Sequence, residues 1–240
     1  MKILIGCPTS DYKRYCLNEY AAGLKSLTHP HDILLADNSE TEQYAKEIAA
    51  AGIPVIKDQF YPSARKRIVE SRNILRKRVL DEGYDCFLSL EQDIIPPPDV
   101  IERLLAHRKD IVSGIYYIDQ FMADEAGNRR QLFFPVLYTW TERSPEGKDL
   151  DYEHMKYVLP EEVEQPRLIE VKAAGVGCLL IRRKVLEKVR FRYEEQSDGF
   201  DDVFFCRDAI RNGFRIYADT GVKCRHLIKG KDWSWSRMQL

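Results

Sequence analysis

The sequence lacks a hydrophobic run that could cross a bilayer, since no apolar stretch approaches the roughly 20 residues a membrane helix needs. It also lacks an excess of charge of either sign. Its 37 Lys and Arg face 38 Asp and Glu, a formal net charge of -1, so no global basic field points to nucleic acid. Cysteine pairs are missing too: Cys7, Cys16, Cys86, Cys178, Cys206 and Cys224 include no CxxC motif, which argues against a structural zinc site. Several lie inside apolar runs, as in Cys86-Phe87-Leu88 and Cys178-Leu179-Leu180, and most read as small reduced core residues. The opening Met1-Lys2-Ile3-Leu4-Ile5-Gly6-Cys7 is too short an apolar stretch for a signal peptide and carries no small-residue cleavage site. It reads as a buried first strand, and the cytosol is the expected compartment. There is no internal repeat and no linker that would separate independent domains.

What is present is an ordinary globular composition of 240 residues, 44% apolar and 31% charged, enough to bury one large core. The first half alternates strand and helix patterns. Strands are expected at Lys2–Cys7, Ile33–Ala36, Ile53–Ile56, Tyr84–Leu90 and Asp110–Tyr117. Helices are expected near Tyr15–Leu27, Glu42–Ala51, Ser63–Glu82 and Asp99–His107, with Gly52 and Gly83 as stops. From about Asp119 to Gln165 the chain is polar, acidic and aromatic, with poor periodicity. A strand pattern returns at Val171–Arg182, a helix is expected at Asp201–Asn212, and a late strand at Phe214–Ala218. The alternation predicts an α/β fold, a mostly parallel twisted sheet flanked by helices. Ligands of such sheets bind beyond the carboxyl ends of the strands, which directs attention to the polar turns there.

Glu91-Gln92-Asp93 closes an apolar strand and precedes three prolines. Two carboxylates at i and i+2 lie on one side of an extended chain, where they can hold Mg²⁺ or Mn²⁺; a solvated strand end gives the same pattern. Asp201-Asp202 opens a helix between large apolar neighbours. The helix dipole favours acids there and accounts for one of them more readily than for two. Gly175-Val176-Gly177 permits close backbone approach to a ligand, or forms a turn. Asp37-Asn38-Ser39 is ordinary turn chemistry as well as a possible nucleoside contact. His226, Arg72-Asn73 and the pair Trp233 and Trp235 have no assigned role from residue type alone.

Taken in order, these pieces resemble the GT-A glycosyltransferases, especially family 2-like members, over about Met1 to His226. Cys7-Pro8-Thr9 resembles the first-strand turn that meets the nucleotide, and Asp37-Asn38-Ser39 the second-strand turn whose acid contacts the base. Ser71-Arg72-Asn73 is similar to the "ARN" segment near the diphosphate. Glu91-Gln92-Asp93 stands where the family has D-x-D, and Gly175-Val176-Gly177 where glycines line the donor sugar. Asp201-Asp202 occupies the "ED" position, and His226 matches a late metal-binding histidine. The resemblance implies a single GT-A-like domain, with residues 1–117 as nucleotide-binding half, 118–228 as acceptor and catalytic half, and 229–240 as a tail.

It further implies a metal site of Asp93, His226 and Glu91 holding Mn²⁺ or Mg²⁺. Donor contacts would come from Pro8, Thr9, Asp37, Arg72, Asn73, Glu91, Gln92, Gly175 and Gly177. Asp202 would be the general base with Asp201 beside it, and the helix dipole would keep Asp202 ionised. The implied reaction moves one sugar from a UDP- or GDP-sugar to a hydroxyl of a glycan, lipid or small-molecule acceptor, with inversion. A retaining GT-A transferase and a non-catalytic nucleotide-sugar-binding module are the alternatives. Glu91 and Asp201 depart from the usual first acids of their motifs. The glutamine-tryptophan motif of processive synthases is absent, which points to single-sugar transfer.

Overall fold

A computed structural model describes residues 1–123, 129–140, 155–197 and 199–230. Trp233 and Trp235 lie outside the described residues. The first half runs β1 (Ile3–Gly6), β2 (Pro8–Thr9), a 3-10 turn (Asp11–Cys16), α1 (Leu17–Ser26), β3 (Asp32–Ile33), β4 (Leu35–Asp37), α2 (Gln43–Ala50), β5 (Val55–Lys57), α3 (Ala64–Asp81), β6 (Cys86–Leu90), β7 (Ile94–Ile95), α4 (Val100–Ala106) and β8 (Ile111–Ile115). The second half runs β9 (Tyr117–Ala123), β10 (Arg129–Pro135), β11 (Leu137–Trp140), β12 (Met155–Tyr157), β13 (Leu168–Val171), β14 (Ala173–Ala174), β15 (Cys178–Arg182), α5 (Arg183–Lys188), α6 (Asp201–Arg211), β16 (Ile216–Lys223) and β17 (Arg225–His226).

The central sheet has the order β13-β16-β8-β15-β6-β1-β3. β1 pairs in parallel with β3 and β6, and β16 with β8, while β15 runs against both β6 and β8. Five of the seven strands therefore share one direction, and only β13 and β15 oppose them. β2, β4 and β5 extend the same parallel edge, with Ala36 N–H donating to the Cys7 carbonyl at 3.1 Å.

Side chains alternate across the sheet. Leu4 and Phe87 face one apolar layer with Leu75 and Val79 of α3, Val185 of α5 and Phe205 of α6. Ile3, Ile5 and Leu88 face the other, with Tyr20 and Leu24 of α1, Ile48 of α2 and Ile101 of α4. Both faces of β6 are buried along its whole length, which is why Cys-Phe-Leu-Ser-Leu reads as a continuous apolar run. α3 starts where the Ser63 hydroxyl accepts from Lys66 N–H at 3.3 Å, a side-chain N-cap. It ends before Gly83, whose φ of 71° suits a residue without Cβ. All six cysteines are free and buried, as their apolar settings indicated.

Three elements differ from expectation, the first being the strand expected at Ile33–Ala36, which is split into β3 of the central sheet and β4 of the β2-β4-β5 edge. The stretch without periodicity contains an antiparallel hairpin, β9 with β10, from Tyr117 opposite Pro135 to Ala123 opposite Arg129. Its ladder is made by main-chain groups that every residue type supplies, so a strict alternation need not show in its sequence. The expected strand Val171–Arg182 is broken into the ends of β13, β14 and β15, with Gly175 to Gly177 between the last two.

Candidate active site

The turns after β1, β4 and β6 open on one edge of the sheet, as the parallel frame requires. Between them lies a cleft of about 370 Å³, lined by Pro8, Thr9, Ser10, Tyr12, Lys13, Asn38, Ala64, Arg67, Ile68, Arg72, Glu91 and Gln92. Its size falls within the roughly 300–1,000 Å³ of small-molecule pockets. Three cationic side chains, from Lys13, Arg67 and Arg72, border it, a composition suited to a phosphorylated ligand.

Glu91-Gln92-Asp93 is a turn and not an extended chain: Ile94 N–H donates to the Glu91 carbonyl at 2.9 Å. The two acids consequently part company. Glu91 pairs with Arg72 at 2.6 Å. Asp93, 3% exposed, turns toward His226 instead. The pairing of β7 with β17 sets Ile94 opposite His226, and Leu227 N–H donates to the Asp93 carbonyl at 2.7 Å. His226 Nε2 then stands 3.3 Å from Asp93 Oδ2, and its Nδ1 bonds the Tyr117 carbonyl at 2.8 Å. A carbonyl only accepts, so Nδ1 carries the proton and the lone pair of a neutral ring sits on Nε2, facing a carboxylate. Two acceptors in that position need a cation between them or a proton on the ring. Asp93 Oδ1 is also buried without a hydrogen-bond partner.

These features fit a divalent cation, with Asp93 and His226 as its protein ligands. Glu91, expected as a third, does not join them, and no group of three or more His, Cys, Asp or Glu side chains gathers among the described residues. Lys13 completes the cluster by pairing with Asp93 Oδ2. Burial opposes ionisation of Asp93, but the hydrogen bond from His226 and the Lys13 charge outweigh it and lower its pKa.

Arg72 is 1% exposed and ties the two acidic motifs together. Its guanidinium contacts Glu91, Asp201 and, at 2.8 Å, the Ser89 hydroxyl. Asp201 is thus spent on a buried ion pair. Asp202, half-buried at the start of α6, accepts from Val203 N–H at 2.8 Å. The helix dipole was expected to hold Asp202 ionised; burial, reinforced by neighbouring Asp201, instead raises its pKa to about 7. The Cys7 thiol, pushed up to about 12 by burial and the nearby Glu91, is no nucleophile at neutral pH.

The other residues expected at the donor have partners within the chain. Asp37 is fully buried and accepts from its own turn, from the Ser39 amide at 3.1 Å and hydroxyl at 2.5 Å; its neighbour Asn38 reaches the cleft. Asn73 exchanges two hydrogen bonds with the Phe191 backbone, at 2.9 and 3.2 Å, and does not line the cleft. Gln92 faces the cleft, but its Nε2 donates to the Tyr44 hydroxyl at 2.5 Å and the Lys13 carbonyl at 3.3 Å, and its Oε1 accepts from the Thr9 hydroxyl. Gly175 and Gly177 are crowded by Tyr116: a Cβ on Gly177 would meet its Cζ at 2.6 Å, and one on Gly175 its hydroxyl. The Tyr116 hydroxyl accepts from Gly177 N–H at 3.1 Å, and the ring meets His226 edge-on at 5.6 Å. Tyr116 and Lys13 were not singled out from sequence, where neither carries a motif.

No protein-family model and no curated protein matches the chain. Among solved structures it is similar to GalNAc-T7 with UDP, GalNAc and Mn²⁺, at 10% identity and a TM-score of 0.63 over 98% of this chain and 45% of that one. It is similar to S. aureus TarS at 13% identity and a TM-score of 0.54, over 97% of this chain and 36% of that one. TarS 1-349 in complex with UDP matches at 14% identity and a TM-score of 0.51, over 97% and 59%. The chain spans under two thirds of each of these. No helix among the described residues is long and apolar enough to cross a membrane. With its mostly parallel sheet between two helical layers and its acidic turns on one sheet edge, the chain has the GT-A fold.

Proposed function

We propose that this chain is a metal-dependent glycosyltransferase. It moves one sugar from a nucleotide diphosphate sugar, UDP- or GDP-linked, to an acceptor hydroxyl on a glycan, lipid or small molecule. The observation that carries this reading is the meeting of Asp93 and His226 beside the cleft that Lys13, Arg67 and Arg72 border, with a buried carboxylate oxygen that has no hydrogen-bond partner and the imidazole Nε2 turned to the same carboxylate. Asp93 and His226 would hold Mn²⁺ or Mg²⁺, and imidazole favours Mn²⁺. The chemistry such an ion supplies is Lewis-acid stabilisation of the departing diphosphate. Arg67 at the cleft wall adds positive charge toward the phosphates.

Asp202 is the general base of this proposal, taking the acceptor proton. A base works best with a pKa near the operating pH, and its value of about 7 suits that task. Direct attack assisted by such a base inverts the anomeric centre, and residues 118–228 form the acceptor side. GalNAc-T7 and TarS, solved with UDP, support a uridine donor as the first to try.

Calorimetry with UDP, GDP and their sugar conjugates tests the reading, in Mn²⁺ or Mg²⁺ and in chelator. Binding should require the cation and be lost in Asp93→Ala. Equal affinity in chelator would reject the metal site. Donor binding with no transfer or hydrolysis would turn the assignment to a binding module, and retention at the anomeric carbon in the product would remove Asp202 from its role.

A further inference from the structure

Lys13 lies on the 3-10 turn after β2, and its ammonium pairs with the same Asp93 oxygen that His226 faces. Its main chain is fixed. Lys13 N–H donates to the Ser10 carbonyl at 2.8 Å, and Gln92 holds the Lys13 carbonyl at 3.3 Å. Two residues on, the Tyr15 hydroxyl donates to the Leu227 carbonyl at 2.7 Å, tying the turn to the segment that bears His226. The side chain is 27% exposed and borders the cleft. It therefore has two possible destinations from one anchored Cα: the Asp93 carboxylate, or an anion in the cleft.

We infer that Lys13 is an internal rival of the divalent cation at Asp93 and couples cation binding to arrival of the donor diphosphate. The inference rests on the donor and cation reading above. An ammonium and a divalent ion on one carboxylate repel each other at short range, and the repulsion is strong where water is scarce. Without nucleotide, Lys13 neutralises Asp93 and weakens the ion's hold. A diphosphate entering the cleft offers the ammonium charge-assisted hydrogen bonds to phosphate oxygens. Once Lys13 turns to the phosphates, both Asp93 oxygens are free for the ion. Ion and diphosphate then strengthen each other's binding, and by linkage the effect is equal in both directions.

The test titrates Mn²⁺ alone into the full chain and into Lys13→Met, followed by calorimetry, then repeats both with UDP or GDP present. Lys13→Met should bind Mn²⁺ tighter than wild type without nucleotide, on the order of tenfold, and the mutual strengthening by UDP or GDP should shrink by a similar factor. Lys13→Arg keeps the charge and should stay close to wild type. If Lys13→Met does not fold, Lys13→Gln, which keeps a polar contact but no charge, takes its place. Equal or weaker Mn²⁺ binding in a folded uncharged variant overturns the inference while the metal reading stands. No Mn²⁺ binding by any variant, with or without nucleotide, overturns that reading and the inference with it.

Discussion

Asp202 and Arg72 show two ways of burying charge. Asp202 is shown with no basic side chain in hydrogen-bonding contact among the described residues, and burial together with Asp201 lifts its pKa from the ordinary 3.8 to about 7. The folded chain then holds a proton there that the unfolded chain has lost, across the interval between those values. Stability contributed by this group consequently falls as pH rises through the interval. In the proposed reaction the ionised form is the base, so the rate should rise with pH, with a limb near 7. Asp202→Asn keeps the shape and removes the basicity. It should cut transfer by about 100- to 10,000-fold and abolish both the limb in the rate profile and the descending arm in a urea-denaturation series. An Asp202→Asn protein that keeps the rate and its limb would show that another group is the base.

Arg72 is the opposite case, a guanidinium at 1% exposure compensated by Glu91, Asp201 and Ser89. Removing one member of a buried ion cluster strands the others, at about 3–5 kcal/mol. Arg72→Leu should lose about that much in denaturant unfolding, whether or not donor is present. A loss below about 1 kcal/mol, the size of a surface pair, would mean the cluster relaxes into solvent. Asp93 was legible in the sequence as an acid closing an apolar strand, and Arg72 only through the resemblance of Ser71-Arg72-Asn73 to the family's segment. What could not be read was the partition of roles. Glu91 looks like a metal ligand by spacing, yet it is claimed by Arg72, 19 positions earlier in the chain.

At the scale of elements, the rules of extended chains mislead where strands end. Glu91 and Asp93 share a face only if the chain stays extended, and the 91–94 turn swings them apart. The pairing of β7 with β17, two residues each, is what carries His226 to Asp93. Segments so short have no periodicity to detect, so the site's closing contact was legible only through the resemblance. Gly175 and Gly177 were legible as a place of close approach, but the approaching group is the Tyr116 ring. Ala at 175 should therefore destabilise the fold. Tyr116→Phe removes the hydroxyl that the new methyl would strike, so Gly175→Ala should cost less in that background. A double-mutant cycle in urea should give a coupling of about 0.5–3 kcal/mol. Additive costs would place the strain on Val136, the next nearest side chain.

At the scale of the molecule, the strand order decides what can fold alone. The resemblance makes residues 1–117 the nucleotide-binding half of a single domain, and every strand of β1 to β8 lies within it. In the sheet, however, β15 stands between β6 and β8, pairing Leu180 with Leu88 on one side and with Val112 on the other. β16 covers the far edge of β8. A chain of residues 1–117 would have to leave β8 unpaired on both sides or close it directly onto β6, a pairing whose side-chain layers no longer meet α5 and α6. Phe87, Leu75 and Val79 would lose Val185, Leu186 and Phe205 from the layer they share. Unpaired edges and an uncovered apolar face both oppose folding. Residues 1–117 expressed alone should accordingly lack the cooperative thermal transition by circular dichroism that the full chain is expected to give. Adding residues 118–240 as a separate polypeptide should restore the transition, because the missing strand returns between its neighbours. A cooperative melt from 1–117 by itself would show that β6 and β8 can close the gap, and that the second half docks onto a finished sheet.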